Sequence, residues 1–441
     1  ADILEETAYA AAVDNNCLDS ICSCCFIEKD HSPLFRCALC KIVSYCDKDC
    51  QKYDWSIHKA ECKFLRGSLP RVPSENVRLM ARLLIRRRNG DSTKVTAFNG
   101  RTFNDLIHHS NLIKSSFSHM MLFADISREV KAFVSSEFMV DDEELLRYHG
   151  KAEINGFVIH GANQKHLGDA IYLGISALDH SCSPDAFIRF RGPIAVLRSP
   201  NKGVIYSDKL TVSYIDVGTT TAERREKLRR YFFECDCKMC NDTELDNFAR
   251  SIKCTSCEDG ICPVSDSMVL NCHKCGETSS ISLSEAKHLN ERNVAALARM
   301  NKCLSAGVSW NYEIALKEYE MSAKVLSKWN LSLAAVARRL ADHFGARDRF
   351  DIAVKLAYDS TEAYSHHLPR GSASLTYALF VASTVASHAK PVTERARELR
   401  RQLGEAVLLS HGSHEQAIKT KDFEMGHIYK GIMLIDYRMA Q

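Results

Sequence analysis

The stretch "LDHSCSPDAFIRF", residues 178–190, places one cysteine, Cys182, between strand-like runs and far from any cysteine pair. About fifty residues on, Cys235-x-Cys237-x2-Cys240 offers three thiols at metal-ligand spacing and lacks a fourth. A tetrahedral site needs that fourth ligand, and Cys182 can supply it. On this reading the motif is tied by a metal to a distant segment. An acidic residue stands near each end of it, Asp179 and Asp185.

Working outward, the flanking segment 154–214 holds short runs, "NGFVIHG", "AFIRF", "IAVL" and "LTVSYI", bounded by Gly, Pro, Asn and Asp as strands are. Residues 1–16 read as a strand-like lead-in. "SENVRLMARLLIRRRN" (74–89) opens a helical region to about residue 150, because Leu79, Leu83 and Leu84 recur at helical spacing. From about 290 onward Ala- and Leu-rich amphipathic helices dominate. There "YEIALKEYEMSAKVL" (312–326) and "FDIAVKLAYDSTEAY" (350–364) align at an offset of 38, with Ile314/Ile352, Ala315/Ala353, Lys317/Lys355 and Ser322/Ser360 identical. That period predicts helix-hairpin repeats of the tetratricopeptide kind, an ordinary helical bundle being the alternative.

A chain of 441 residues that is 45% hydrophobic can bury several cores. Its charge, 58 basic against 55 acidic residues, is too balanced for bulk nucleic-acid or membrane binding. The N-terminal "ADILEETAYAAAVD" carries acid where a secretory signal needs positive charge, and no apolar run is long enough to span a bilayer. The expectation is a monomeric protein of the cytoplasm, the nucleus or both, without a membrane partner.

Nineteen cysteines, many in C-x2-C pairs and without a secretory signal, point to zinc rather than disulfides. The first block reads Cys22-x2-Cys25-x11-Cys37-x2-Cys40-x5-Cys46-x3-Cys50-x7-His58-x3-Cys62, ligands enough for two ions. A third block, Cys254-x2-Cys257-x14-Cys272-x2-Cys275, is a four-cysteine ribbon by itself. With the Cys182 site this gives four zinc ions. Cys17, Cys24, Cys262 and Cys303 are left as ordinary thiols. The first block is locally basic, with Arg36, Lys41, Lys48, Lys52, Lys59, Lys63 and Arg66, and a solvated face offsetting negative zinc–thiolate clusters accounts for this as well as DNA contact does. Nucleic-acid binding is therefore expected to be weak or absent.

With Trp55, the first block resembles a MYND zinc finger over its whole length. The resemblance implies the interleaved pairing, Cys22, Cys25, Cys46 and Cys50 on one ion and Cys37, Cys40, His58 and Cys62 on the other. "HSC-x-P", then "LTVSYID", then "ERREKLRRYFFECDCKMC", resembles the SET and post-SET segments of protein lysine methyltransferases. In this order the whole is similar to a SET and MYND domain-containing (SMYD) lysine methyltransferase. It implies an α+β fold: SET strands at 1–21, the finger at 22–62, a helical insertion at 63–150, the SET core at 151–217, post-SET at 218–249, a zinc ribbon at 250–285 and a TPR-like domain at 286–441.

The resemblance further implies S-adenosylmethionine as cofactor and a protein lysine, of a histone or another protein, as substrate. It matches Tyr214 to the catalytic tyrosine and Phe157 and Tyr231 to the lysine channel. Asn155, Asp179, His180, Tyr214 and Phe233 fall at cofactor positions. A proline-rich peptide is the expected partner of the finger, and a scaffold that binds peptides without methyl transfer is the alternative function. The family's Gly-x-Gly strand falls before a segment like "ADILEE", where this sequence starts, and a chain lacking those glycines is expected to hold the cofactor's amino-acid end less closely. Asp179 and Asp185 stand where the family has amides. A carboxylate only accepts hydrogen bonds, so at 185 a nearby donor is required, whereas at 179 it can face a cationic ligand.

Overall fold

The computed structural model describes residues 2–28, 33–161, 166–199, 209–305, 308–388 and 393–410. The chain opens with β1 (Asp2–Thr7) and β2 (Ala10–Val13), and the finger adds the short pair β3 (Phe35–Arg36) and β4 (Ser44–Tyr45). Helices α1 (Lys48–Ser68), α2 (Glu75–Arg88), α3 (Ser110–Ser115), α4 (Phe117–Phe133) and α5 (Asp142–Asn155) follow. Next come β5 (Gly156–His160), β6 (His166–Ile171), β7 (Asp179–His180), β8 (Phe187–Arg191), β9 (Ile194–Arg198) and β10 (Thr211–Val212). The chain continues through α6 (Thr221–Leu228), α7 (Lys238–Asn241), α8 (Thr243–Ala249), β11 (Ile252–Lys253) and β12 (Ile261–Cys262). It ends in α9 (Leu283–Ser305), α10 (Tyr312–Ser322), α11 (Leu331–Gly345), α12 (Phe350–His367), α13 (Ala373–His388) and α14 (Glu394–Ser410). None of these helices is long and apolar enough to cross a membrane.

The two lead-in strands do not pair with each other. β1 joins β9 and β8 in one antiparallel sheet, while β2 joins β6 and β5 in another. Charge fixes the first pairing: Asp2 meets Arg198 at 2.5 Å and Arg189 at 3.6 Å, and Glu5 meets Arg191 at 2.6 Å. Glu6, buried, accepts from the amides of Gly174 and Ile175 at 2.9 and 2.7 Å. Burial nonetheless raises its pKa, since desolvation outweighs those bonds. In the second sheet β6 can sit against β2 only because residue 168 is glycine. Its φ is +155°, and a Cβ there would overlap Ala12 O and the Val13 backbone.

α2 carries the apolar stripe read from sequence, with Leu79, Leu83 and Leu84 buried and Ser74 as N-cap. Arg78 on the same helix is buried too; its guanidinium bonds Asn15 Oδ1 at 2.6 Å and also the Val13 carbonyl, tying helix to strand. Three local expectations need correction. The finger's second half is already helical, because Asp47 caps α1 by accepting from Cys50 N at 2.8 Å. Asn155, expected in a strand run, is the last residue of α5, so the strand starts at Gly156. "LTVSYI" contributes only Thr211 and Val212 to pairing, in a short parallel ladder with β7.

In the C-terminal helices the 38-residue offset coincides with the elements: α10 and α12 begin at Tyr312 and Phe350. Ala315 and Ala353 are both buried, as are Ser322 and Ser360. Small residues at matched positions let each helix approach its neighbour closely. The sequence beyond 410 lies outside the described residues.

The strand contact at Gly168 yields a test. Gly168→Ala is expected to lower stability by about 2 kcal/mol or more, through overlap and backbone strain together, read as a shifted urea midpoint with unchanged slope.

Candidate functional site

Sulfur and nitrogen ligands gather into four groups, each with its donor atoms within 4.8 Å of one another: Cys22/Cys25/Cys46/Cys50, Cys37/Cys40/His58/Cys62, Cys182/Cys235/Cys237/Cys240 and Cys254/Cys257/Cys272/Cys275. These are the ligand sets read from the sequence, including the Cys182 closure. Zinc–sulfur bonds of about 2.3 Å in a tetrahedron put sulfurs about 3.8 Å apart. The structure has Cys25–Cys46 at 3.7 Å, Cys37–Cys62 at 3.6 Å, Cys182–Cys240 at 3.5 Å and Cys257–Cys272 at 3.8 Å. All-sulfur and sulfur–imidazole sets of this size fit zinc. At the ribbon a Cβ on Gly260 would press on Cys257 and Cys272 Sγ, so only glycine fits there.

Charge around two of these sites comes from residues that spacing does not reveal. His58 turns Nε2 toward Cys40 Sγ, 3.8 Å away, and Nδ1 toward Glu61 Oε2 at 3.1 Å. A ligand imidazole whose other nitrogen donates to a carboxylate is fixed in tautomer and orientation. Glu61 in turn accepts from Arg82 at 2.9 and 3.1 Å, and Arg82 reaches Asp54 at 2.9 and 3.0 Å. Tyr45 donates to Asp54 at 2.8 Å. Relative exposures are 0% for His58, 1% for Glu61, and 8% for both Asp54 and Arg82. Asp54, His58 and Glu61 by themselves have metal-binding composition, but Arg82 occupies the space between the carboxylates, making this an ion-pair network. At the third site the buried Arg224 places Nη2 3.7 Å from Cys240 Sγ and 2.8 Å from Thr221 Oγ1.

The same third site organises an aromatic cluster. His180 on β7 has Nε2 3.3 Å from Cys182 Sγ, and its Nδ1 accepts the backbone N–H of Tyr214 at 3.0 Å. An acceptor Nδ1 leaves the proton on Nε2, directed at the ligand sulfur. Burial and the Arg224 charge push its pKa down to about 4, which keeps the ring neutral. The Tyr214 ring lies 5.2 Å from His180, 5.2 Å from Tyr231 and 6.3 Å from Phe233, the last pair edge to face. Its hydroxyl donates to Leu178 O at 2.5 Å. Burial first, then the Asp179 charge, push the phenol up to about 12.

Of the other sequence candidates, Asp179 is exposed on β7 beside this cluster, and its carboxylate has no hydrogen-bond or ion-pair partner among the described residues. Asp185 finds the required donors on Thr211, whose Oγ1 and N approach at 2.7 and 3.2 Å. Asn155 turns inward, donating to Ile107 O at 2.7 Å and Lys151 O at 2.9 Å. Phe157 stands in a second aromatic group; its ring partners among the described residues are Tyr172 at 5.4 Å and Phe190 at 6.5 Å, not Tyr214 or Tyr231. Phe232, which the sequence reading passed over, packs on His119 and His109 at 4.7 and 5.6 Å.

His109 belongs to the segment 104–112, a loop running into the first turn of α3, which lines a cleft of about 570 Å3. A larger hollow of about 890 Å3, floored by Phe248 and Met268, lies between α8 and the ribbon and shares no residue with the Tyr214 cluster.

Interleaved ligand sets on a helix-backed segment define a zinc-finger protein, and the MYND finger family model matches residues 22–62. Human histone-lysine N-methyltransferase SMYD3 is 33% identical over 238 residues, 51% of this chain and 53% of that protein. Zebrafish N-lysine methyltransferase SMYD2-A is 29% identical over 248 residues, 56% of each chain. Xenopus laevis N-lysine methyltransferase SMYD2-B is 32% identical over 242 residues, 54% of this chain and 55% of that protein. The match thus spans about half the length of these relatives. Finger and relatives together make the chain similar, over about half its length, to SET and MYND domain-containing proteins.

Arg82→Met leaves two carboxylates buried without their cation. The expected cost is about 3–5 kcal/mol in a denaturant titration, and a chelating dye should draw zinc faster from the Cys37/Cys40/His58/Cys62 site while the ribbon ion leaves at its ordinary rate.

Proposed function

We propose that this chain is an S-adenosylmethionine-dependent protein-lysine N-methyltransferase, acting on a lysine of a histone or another protein. The observation that carries the reading is the meeting of His180, Tyr214, Tyr231 and Phe233, from three separated segments, beside the Asp179 carboxylate, which has no partner among the described residues. The similar proteins, a histone-lysine N-methyltransferase and an N-lysine methyltransferase, supply the reaction class.

Bound S-adenosylmethionine supplies a methyl group on a positive sulfonium. The residues suited to hold it are Asp179, an anion facing a cation, with His180, Phe233 and Tyr214 as flat apolar walls, and the 104–112 cleft, which meets this cluster's segment where His109 packs on Phe232. Asn155 contributes by bracing that segment, its amide donating to Ile107 O. For the substrate, Tyr214 and Tyr231, with Phe157 from the neighbouring group, would form the walls that strip water from a neutral lysine amine. The same rings tolerate the methylated cation by cation–π attraction. Tyr214 gives its proton to Leu178 O, which leaves its oxygen lone pairs free toward the amine. Exposed Phe35, Tyr53 and Trp55 on the finger are suited to a proline-rich peptide.

Calorimetric titration of S-adenosylmethionine is the first test; uptake is expected, and a chain that takes up none is a peptide-binding scaffold instead. Tyr214→Phe is expected to slow methyl transfer about a hundredfold or more with cofactor affinity retained. Because the neutral phenol is the favoured form and its pKa sits at about 12, raising the pH through about 10, where free tyrosine ionises, should produce no tyrosine-dependent fall in rate. A break there, absent in Tyr214→Phe, would contradict the assignment.

A further inference from the structure

Lys151 is buried on α5, and no step outlined above uses its amine. Its Nζ donates to the carbonyls of Phe103 at 2.8 Å and Asn104 at 3.3 Å, and lies 4.5 Å from the centre of the Phe103 ring. One turn later on the same face, Asn155 Nδ2 takes the Ile107 carbonyl at 2.7 Å. Just before it, Gly150 makes room for His108 O, which a Cβ would overlap. The carbonyls of residues 103, 104, 107 and 108 therefore all turn into α5.

A row of buried carbonyls is stable only if donors meet it. Within α5 such donors can come only from side chains, because the helix amides are spent on the helix itself. An amine removed from water is retained here because two acceptors and a ring face replace its hydration. The charged neighbours of Lys151 are Asp105, Glu144 and Arg147, and burial lowers its pKa. On its outer side the same loop presents Ile107, His108 and His109 to the 570 Å3 cleft. His109 in turn touches Phe232, held with φ +62° between Tyr231 and Phe233.

We infer that Lys151 is a positioning residue for the cofactor cleft: with the Asn155 amide it fixes the backbone of residues 103–108, and so the wall against which S-adenosylmethionine packs. The inference rests on the reading of that cleft given above. It assigns Lys151 no contact with cofactor or substrate.

The test uses the full chain with Lys151→Met and Lys151→Arg, reading cofactor affinity by calorimetry, the split of KM and kcat, and amide hydrogen exchange. Lys151→Met is expected to weaken cofactor binding about tenfold or more, raise KM for the cofactor with kcat within about threefold, and speed exchange selectively at residues 103–109. Lys151→Arg, which still donates, should restore most of both. Unchanged affinity and exchange in Lys151→Met overturn the inference. So does faster exchange spread evenly through α5 and β6 with KM and kcat moving together, which is ordinary destabilisation. Should Lys151→Met not fold, Lys151→Arg and Lys151→Gln are compared, and equal affinity and exchange in those two overturn it. If the wild-type chain takes up no cofactor, the functional reading falls, while localised exchange at 103–109 still decides whether Lys151 sets the loop.

Discussion

One buried guanidinium joins the finger to the rest of the molecule. Asp54, His58 and Glu61 lie on one stripe of α1, at helical spacing, and Arg82 enters between the two carboxylates from α2. An arginine taken from water without partners is prohibitively costly, and so are the two acids. Brought together, each satisfies the other's donors or acceptors, and the planar fork suits two carboxylates at once. The constraint is mutual: the finger's second metal site has its histidine held by Glu61, and Glu61 keeps its charge against burial through Arg82 first and His58 beside it. A finger that spacing marks as self-contained is thus electrically completed from outside its own boundaries.

A similar device operates at the third metal site. One imidazole, His180, faces a ligand sulfur with one nitrogen and the Tyr214 backbone with the other. Metal ligation therefore sets the height and tilt of the tyrosine around which Tyr231 and Phe233 gather. Arg224 supplies positive charge where four thiolates around one dication leave an excess of negative. The C-terminal helices reach the same neighbourhood: Ser374 of α13 donates to Asp216, two residues beyond Tyr214. Sheet, metal and helical array are in this way tied within a few residues of one strand.

Much of this frame was legible in the sequence because thiol spacing is a local property. Cys254-x2-Cys257 and its partners state their geometry directly, and even Cys182 was found by the incompleteness of Cys235-x-Cys237-x2-Cys240. Helix period and the 38-residue offset were legible for the same reason. Arg82, Arg224 and Lys151 were not, since a charged residue on a helix reads as solvent-facing until its distant partners are known. Phe157 shows the same limit from the other side: the family resemblance matched it to the channel by motif order, and motif order does not reveal its ring neighbours, Tyr172 and Phe190. Asp185 depended on Thr211, a donor twenty-six positions away.

Among the described residues β1 finds its hydrogen-bonding partner at β9, Asp2 opposite Arg198. On a ribosome adding about 5–20 residues each second, β1 therefore emerges roughly 10–40 s before the strand that will cover it. During that interval the zinc-binding segment and the helices behind it are already available to fold. The acidic run of β1, Asp2, Glu5 and Glu6, keeps the waiting edge charged and so poorly suited to pairing with another nascent chain.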